Sequence, residues 1–321
     1  MVGGSDGESG GMPEIFNLGC PTFQCNKIDE VPGRGAIANI LNSIGAVIGG
    51  TPILCGGNNP EETATIYDKC FKFIKKDGEY HWVPFDNTLS IARFFKSDAS
   101  IVIEDQLLVS GGIIGHGGPY SVLQELVSLD GEFTSSELKS PATYGHCMVQ
   151  INETSVLAIG GIGKAHDQKT TFMNFKTGKI SSGPELANKR HANGCGKITI
   201  GGDTVVFSVG GGTPWQADFQ HTTEYLKLDK DDAEWKAGPD LPIGMREMRV
   251  IPSRNGKTLY LVGGRKGPTF NEYVEEIHQL VCEGNKVRSC QWVDTGVKIE
   301  QPRRGHQVFP IPESMANELC N

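Results

Sequence analysis

The sequence predicts an all-β fold made by repeating one supersecondary unit, and three observations carry that prediction. Glycine doublets stand at Gly3-Gly4, Gly56-Gly57, Gly111-Gly112, Gly160-Gly161, Gly210-Gly211 and Gly263-Gly264, so successive first glycines lie 53, 55, 49, 50 and 53 residues apart. A period of that length marks a propeller or a solenoid. Every later doublet closes an apolar run, at 52–55, 106–109, 155–159, 204–209 and 258–262, of the kind that fits a strand buried on both faces. No segment keeps a helical periodicity for more than about two turns.

Within one repeat the elements follow in order. Residues 99–112 read as strand, tight turn, apolar strand and doublet, which is an inner hairpin. After a glycine-rich loop, Leu123 to Leu129 alternates as a third strand and Glu132 to Leu138 is a short polar fourth. Each repeat is therefore expected to be a four-stranded antiparallel sheet. The doublets are assigned to backbone geometry, because positive φ or a close-passing neighbour excludes a Cβ. A phosphate cradle would need a glycine-rich loop opening a helix, and none follows these doublets. At the chain ends, Pro13 to Leu18 and Phe23 to Ile28 read as third and fourth strands with no first strand before them. Arg303 to Ile311 reads as a first strand with nothing after it. Joining the two ends completes a sheet and hides its edges, which predicts six blades in a single domain over 1–321. Met1-Val2 leads straight into a doublet where the other repeats have a longer strand, so further chain is expected before residue 1.

Doublet, third strand, Trp, then Pro and Arg opening the next repeat is a pattern that resembles the kelch family. The clearest copy is Val209-Gly-Gly-Gly212, Thr223 to Leu228, Trp235, Gly238-Pro239, Leu241-Pro242 and Arg246. Trp82 and Trp292 take the Trp position elsewhere, Gly183-Pro184 and Arg190-His191 recur, and Arg303-Arg304-Gly305-His306 opens the last repeat. The resemblance spans essentially the whole chain. It implies a six-bladed kelch-type β-propeller in which residues opening first strands and loops after doublets gather on one face around a channel. The other propeller family, with repeats of about forty residues, would show Trp-Asp dipeptides, and this chain has none.

Charge and cysteines limit the partners. The chain carries 30 basic and 38 acidic residues, a net of −8, and no Lys/Arg block that would track phosphates, which argues against nucleic acid and anionic membrane. No apolar run reaches the roughly eighteen residues of a spanning helix, so no membrane insertion is expected, and a monomer is. Of nine cysteines, Cys20/Cys25 and Cys282/Cys290 flank turns between third and fourth strands, and Cys55 faces Cys70 across a predicted strand pair. These three pairs are read as disulfides and point to an extracellular or secreted protein, with a cytoplasmic one the alternative. Asn152-Glu153-Thr154 is a lone glycosylation sequon between two strands. Cys147 and Cys195, in first strands, are expected to be buried free thiols.

The candidate site residues are those placed on the channel face. His146, His191 and His306 lie near the start of first strands, as do Arg93, Tyr144, Arg190, Arg246 and Arg303. Tyr120, Trp215, Phe219, Arg265 and Phe270 lie in loops after doublets. Aromatics and arginines are enriched at binding hot spots, and their concentration makes a locally basic face on an acidic chain. An acidic peptide or a glycan would suit it. The expectation is a binding module for a protein or glycan ligand, without catalysis, cofactor or metal. Two alternatives stand beside it: an intracellular adaptor of the ubiquitin-ligase or actin-binding type, and an enzyme of mutarotase or oxidase type, for which Glu247 beside Arg246 is the acidic residue of interest.

Overall fold

The computed structural model describes residues 1, 14–16, 24–25, 40–59, 65–96, 99–115, 117–136, 138–139, 143–163, 168–213, 216, 218–229, 233–267 and 272–320. Five four-stranded antiparallel sheets follow one another along the chain. The first holds Ile44–Ile48, Thr51–Cys55, Lys69–Lys76 and Glu79–Thr88. The second holds Ser100–Ile103, Gln106–Ser110, Gln124–Val127 and Phe133–Ser135. The third holds Cys147–Asn152, Ser155–Ile159, Thr170–Asn174 and Lys179–Ser182, and the fourth Gly194–Ile200, Asp203–Val209, Thr223–Lys227 and Lys236–Ala237. The fifth holds Arg249–Pro252, Leu259–Val262, Glu276–Cys282 and Cys290–Lys298, with a small sheet of Met245–Arg246, Arg265–Lys266 and Glu272–Tyr273 beside it. Ile15–Phe16 pairs antiparallel with Gln24–Cys25.

The inner hairpins of the first, second and fourth sheets have turns with positive φ at both central residues. These are Gly49-Gly50, Glu104-Asp105 and Gly201-Gly202, and the geometry is the signature of the primed turns that match strand twist. Second strands are buried along nearly their whole length: Leu107, Leu108 and Val109 in one sheet and Val205, Val206, Phe207 and Val209 in another are 0% exposed. The first strands of consecutive sheets pack beside one another, first against second through fourth against fifth. The core therefore lies between sheet faces, with Met148, Val156 and Met173 meeting Ile103 and Leu107 in one layer and Val149, Leu157, Val206 and Trp235 in the next. The arrangement is propeller-like.

All five described doublets have positive φ at both glycines. The reason is contact between neighbouring sheets: a Cβ on Gly160 would sit 2.4 Å from the Arg190 carbonyl oxygen, and the second glycine donates its N–H to that same oxygen at 2.8 Å. Gly57, Gly112, Gly211 and Gly264 donate likewise to Arg93, Thr143, Met245 and Arg303. Each doublet is thus a seam between consecutive sheets. The doublet at Gly3-Gly4 lies outside the described residues.

Three buried arginine–glutamate pairs repeat one device. Arg190 Nε bonds Glu224 Oε1 at 3.1 Å while the same carboxylate takes the N–H of Ala187 at 2.7 Å. Arg93 pairs with Glu125, which also accepts from Ser90 N. Arg303 Nη2 reaches Glu14 Oε1 at 2.7 Å, and Glu14 accepts from Glu300 N at 2.9 Å. The third copy joins the two ends of the chain, as does the bond from Asn42 N to the Gly305 carbonyl at 2.8 Å.

Several expectations change. The segment after Arg303 makes single bridges at Arg304 and Gln307 where a first strand was expected. Glu313–Cys320 is a helix, whose Met315, Ala316 and Leu319 pack on Phe73 and Trp82 of the first sheet. Cys55–Cys70 and Cys282–Cys290 are disulfides. Cys147 and Cys195 are not free thiols: they are bonded to each other, stapling the first strands of the third and fourth sheets. Adjacent first strands bring together residues 48 apart in sequence, a proximity invisible within one repeat. Cys320 is also disulfide-bonded, while the pairing expected for Cys20 and Cys25 lies outside the described side chains.

Candidate functional site

Where each first strand is entered, one residue pairs with the residue that follows a doublet. These pairs are Leu41 with Asn58, Phe94 with Ile113, Tyr144 with Ile162, His191 with Gly212 and Arg246 with Arg265. Arg304 stands in the same register, immediately after the buried Arg303. The next residue in each case is Asn42, Phe95, Gly145, Ala192, Glu247 or Gly305, and all but Phe95 have positive φ. Backbone bonds link several of them in series: Ala192 N to Gly145 O at 2.7 Å, Glu247 N to Ala192 O at 2.8 Å, and Phe95 N to Asn42 O at 2.7 Å. The left-handed conformation of Glu247, at φ 61°, therefore belongs to this shared turn, and the carboxylate is the feature peculiar to it.

The mouth so formed has two unlike halves. On one side Phe94, Ile113, Tyr144 and Ile162 make an apolar cluster with Tyr120 packed against it. The Tyr120 and Tyr144 rings stack at 6.1 Å with 7° between planes, and Phe94 meets Tyr144 edge-on at 5.7 Å. On the other side Glu247, 1% exposed, is surrounded by cations. Arg304 Nη1 lies 3.3 Å from Oε2, Arg265 Nε 3.8 Å from Oε2, and Lys96 Nζ 3.6 Å from Oε1. Lys96 comes from the approach to the second sheet and Glu247 from the approach to the fifth, so their ion pair crosses between non-neighbouring sheets.

Electrostatics set the protonation states. Burial pushes the Glu247 carboxyl up, but Lys96, Arg304, Arg265 and Arg246 outweigh it and hold its pKa at about 2. Burial, with Arg246 beside it, lowers His191 to about 4. Neutral His191 donates from Nδ1 to the Gly212 carbonyl at 3.0 Å and accepts at Nε2 from Arg246 Nη2 at 2.6 Å. The Arg246 guanidinium is further placed by the Gln216 carbonyl at 3.4 Å and by the Phe219 ring, 5.8 Å away. Asp218, which Thr213 binds through both its N–H and its hydroxyl, adds a second negative charge near Arg246. Among the described residues, four cations thus face two carboxylates. Lys96, Arg265 and Arg304 keep 30%, 14% and 18% of their side chains exposed, and Arg304 Nε has no hydrogen-bond partner among the described residues.

The sequence-derived candidates divide accordingly. Tyr120, Tyr144, His191, Phe219, Arg246 and Arg265 lie at this mouth. Arg93, Arg190 and Arg303 do not: each is 0% exposed and committed to its glutamate. His146 and His306 are also withdrawn, at 2% and 0% exposure, their rings against Gly111 and Gly263. Trp215 and Phe270 lie outside the described residues. Arg246 is not the counterpart of Arg190, as the repeat pattern suggested. It holds the position that His191 holds at the fourth sheet, each pairing with the residue after a doublet, which moves it from the interior to the mouth. Lys96 was not among the candidates, although its place two residues after Phe94 was a usable signal. Among the described residues no group of three or more His, Cys, Asp or Glu side chains is placed to hold a metal ion.

No protein-family model and no curated protein matches the chain. Among solved structures the chain is similar to YjhT, a kelch-type propeller protein, with a TM-score of 0.59 at 13% identity over 75% of this chain and 81% of that one. That likeness carries the fold alone.

Proposed function

We propose that the chain is a closed six-bladed kelch-type propeller, extracellular and monomeric, that binds an anionic group of a protein or glycan ligand at its channel mouth and catalyses nothing. The observation that carries the reading is the cation excess around Glu247. Among the described residues, Lys96, Arg246, Arg265 and Arg304 stand against Glu247 and Asp218 on a chain whose net charge is −8. A local positive field selects acidic partners, while the net charge of −8 keeps copies of the chain apart. Beside it the Tyr120 ring offers a flat apolar surface for a sugar ring or an aliphatic side chain. Closure is supported by the Arg303–Glu14 pair and the Asn42–Gly305 bond, and an oxidising compartment by the three described disulfides.

A mutarotase- or oxidase-type enzyme would use a buried carboxylate at the mouth, and Glu247 has that position. Its pKa of about 2 makes it a poor proton acceptor near neutral pH, where a general base works best with a pKa close to the medium. Glu247 instead orders the guanidiniums that the ligand meets. The test is titration of the purified protein with a glutamate-rich peptide and with carboxylated and sulfated oligosaccharides at several salt concentrations. Saturable binding to one of them, weakened by salt, is expected. Salt-insensitive binding, or none to any, would refute the proposal.

A further inference from the structure

Asn152, Glu153 and Thr154 form the tip of the inner hairpin of the third sheet, where Asn152 pairs with Ser155. This is the one Asn-X-Ser/Thr triplet in the 321 residues. Its turn differs from the primed turns of the first, second and fourth sheets: neither Glu153 nor Thr154 has positive φ, and the register shifts between Gln150 and Asn152. The shift leaves Asn152 and Glu153 exposed. Asn152 Oδ1 accepts from Thr154 N at 3.1 Å and from Thr154 Oγ1 at 3.5 Å. Its amide oxygen is thereby turned back onto the turn, while Nδ2 has no partner among the described residues. Thr154 is itself held from below, since Asn174 Nδ2 donates to its Oγ1 at 3.3 Å and to Ser155 Oγ at 2.8 Å.

We propose that Asn152 carries an N-linked glycan. The proposal rests on the extracellular reading above, because the transfer takes place in the compartment where disulfides form. The co-reactant is a polyprenyl-pyrophosphate-linked oligosaccharide supplied by the host's transferase. Asn152 Nδ2 bonds to C1 of its first sugar, the C1–O bond to the pyrophosphate breaks, Nδ2 gives up one proton, and polyprenyl pyrophosphate leaves. The folded hairpin has room for the product, since Asn152 and Glu153 are both exposed at its tip. Cys147–Asn152 also runs outward from the mouth residue Tyr144, so roughly 17 Å of strand separates the glycan from the anion site. The sugar covers the hairpin-tip face and leaves the mouth open.

The experiment is intact-mass measurement of the chain purified from its native source, before and after treatment with peptide-N-glycosidase, with peptide mapping of residue 152 and of the cysteines. The expected result is a mass loss on treatment with conversion of Asn152 to Asp. Asn152→Gln and Thr154→Ala, each expressed in a secreting eukaryotic cell, both lose the modification while ligand affinity stays unchanged. Unmodified Asn152 in a chain whose disulfides are formed overturns the glycan and leaves the extracellular reading standing. Unmodified Asn152 with all thiols free overturns both.

Discussion

Two kinds of buried carboxylate, one in or beside third strands and one at the entry to a first strand, are treated in opposite ways. Glu14, Glu125 and Glu224 each meet one arginine inside the molecule and spend their remaining lone pairs on backbone N–H groups of the preceding loop. Charge and hydrogen-bonding capacity are matched there, which is the condition for a buried ion pair to be tolerated. Glu247 is as deeply buried but is shared among Lys96, Arg265 and Arg304, with Arg246 adjacent. Matched pairs tie the entry of a sheet to its third strand, whereas among the described residues Glu247 is outnumbered by cations, of which Lys96 and Arg304 are partly exposed. The difference separates architecture from recognition on a surface where sequence supplies the same residue types for both.

The comparison is broken most severely by removing a matched partner. Arg190→Ala strands Glu224 in the interior and is expected to cost about 3–5 kcal/mol, read as a lower denaturant midpoint at unchanged slope. A loss under 1 kcal/mol would mean that the pair is not a structural unit. Next in size is the staple between the third and fourth sheets. Cys147→Ala with Cys195→Ala opens a loop of 48 residues and should cost about 2–5 kcal/mol, measured by thermal melting without reductant. Unchanged melting would show that the two inner strands hold together without it.

Acid should then act in two steps. His191 has a folded-state pKa of about 4 against 6.5 unfolded, so the unfolded chain takes the proton first. The stability from its neutral form is fully present above pH 6.5 and is lost as pH falls toward 4, on the order of 3 kcal/mol. Buried His306, lowered well below 6.5, acts in the same direction. Glu247 contributes below that, from its unfolded value near 4.5 down to about 2, because protonation removes its hold on the cations. Urea midpoints measured from pH 7 to 3 should fall throughout, and His191→Gln should flatten the upper part of the decline. A flat profile between pH 7 and 4 would contradict the buried neutral histidines.

Much of the architecture was legible because it depends on local backbone chemistry. The doublets revealed the seams, since a glycine needed for positive φ and close approach cannot be replaced by another residue without strain. The apolar second strands and the Cys55–Cys70 and Cys282–Cys290 pairs followed from strand adjacency within a repeat. The Cys147–Cys195 bond and the Lys96–Glu247 pair did not, because both join different sheets and no within-repeat spacing encodes them. The site was half legible. Arg190-His191 and Arg303-Arg304 look like runs of equivalent residues, yet a one-residue step along a strand turns the side chain from the interior to the mouth. Glu125 and Glu224 could have been found from the Gln-Glu and Thr-Glu dipeptides that open or enter third strands, 32 and 34 residues after their arginines.

The smallest stability change should bring the clearest loss of function. Arg304→Ala removes a cation that is partly exposed and only one of several around Glu247, so melting should barely move. Affinity for the anionic ligand should fall at least about tenfold, or about 1.4 kcal/mol, and its salt dependence should become shallower. The most direct measurement is therefore affinity and melting temperature taken together on the native protein, Arg304→Ala and Arg190→Ala. The account predicts that Arg304→Ala loses binding at nearly native stability, while Arg190→Ala loses stability and keeps its affinity at temperatures where it remains folded. Undiminished binding by Arg304→Ala would contradict the claim that the outnumbered Glu247 marks the ligand site.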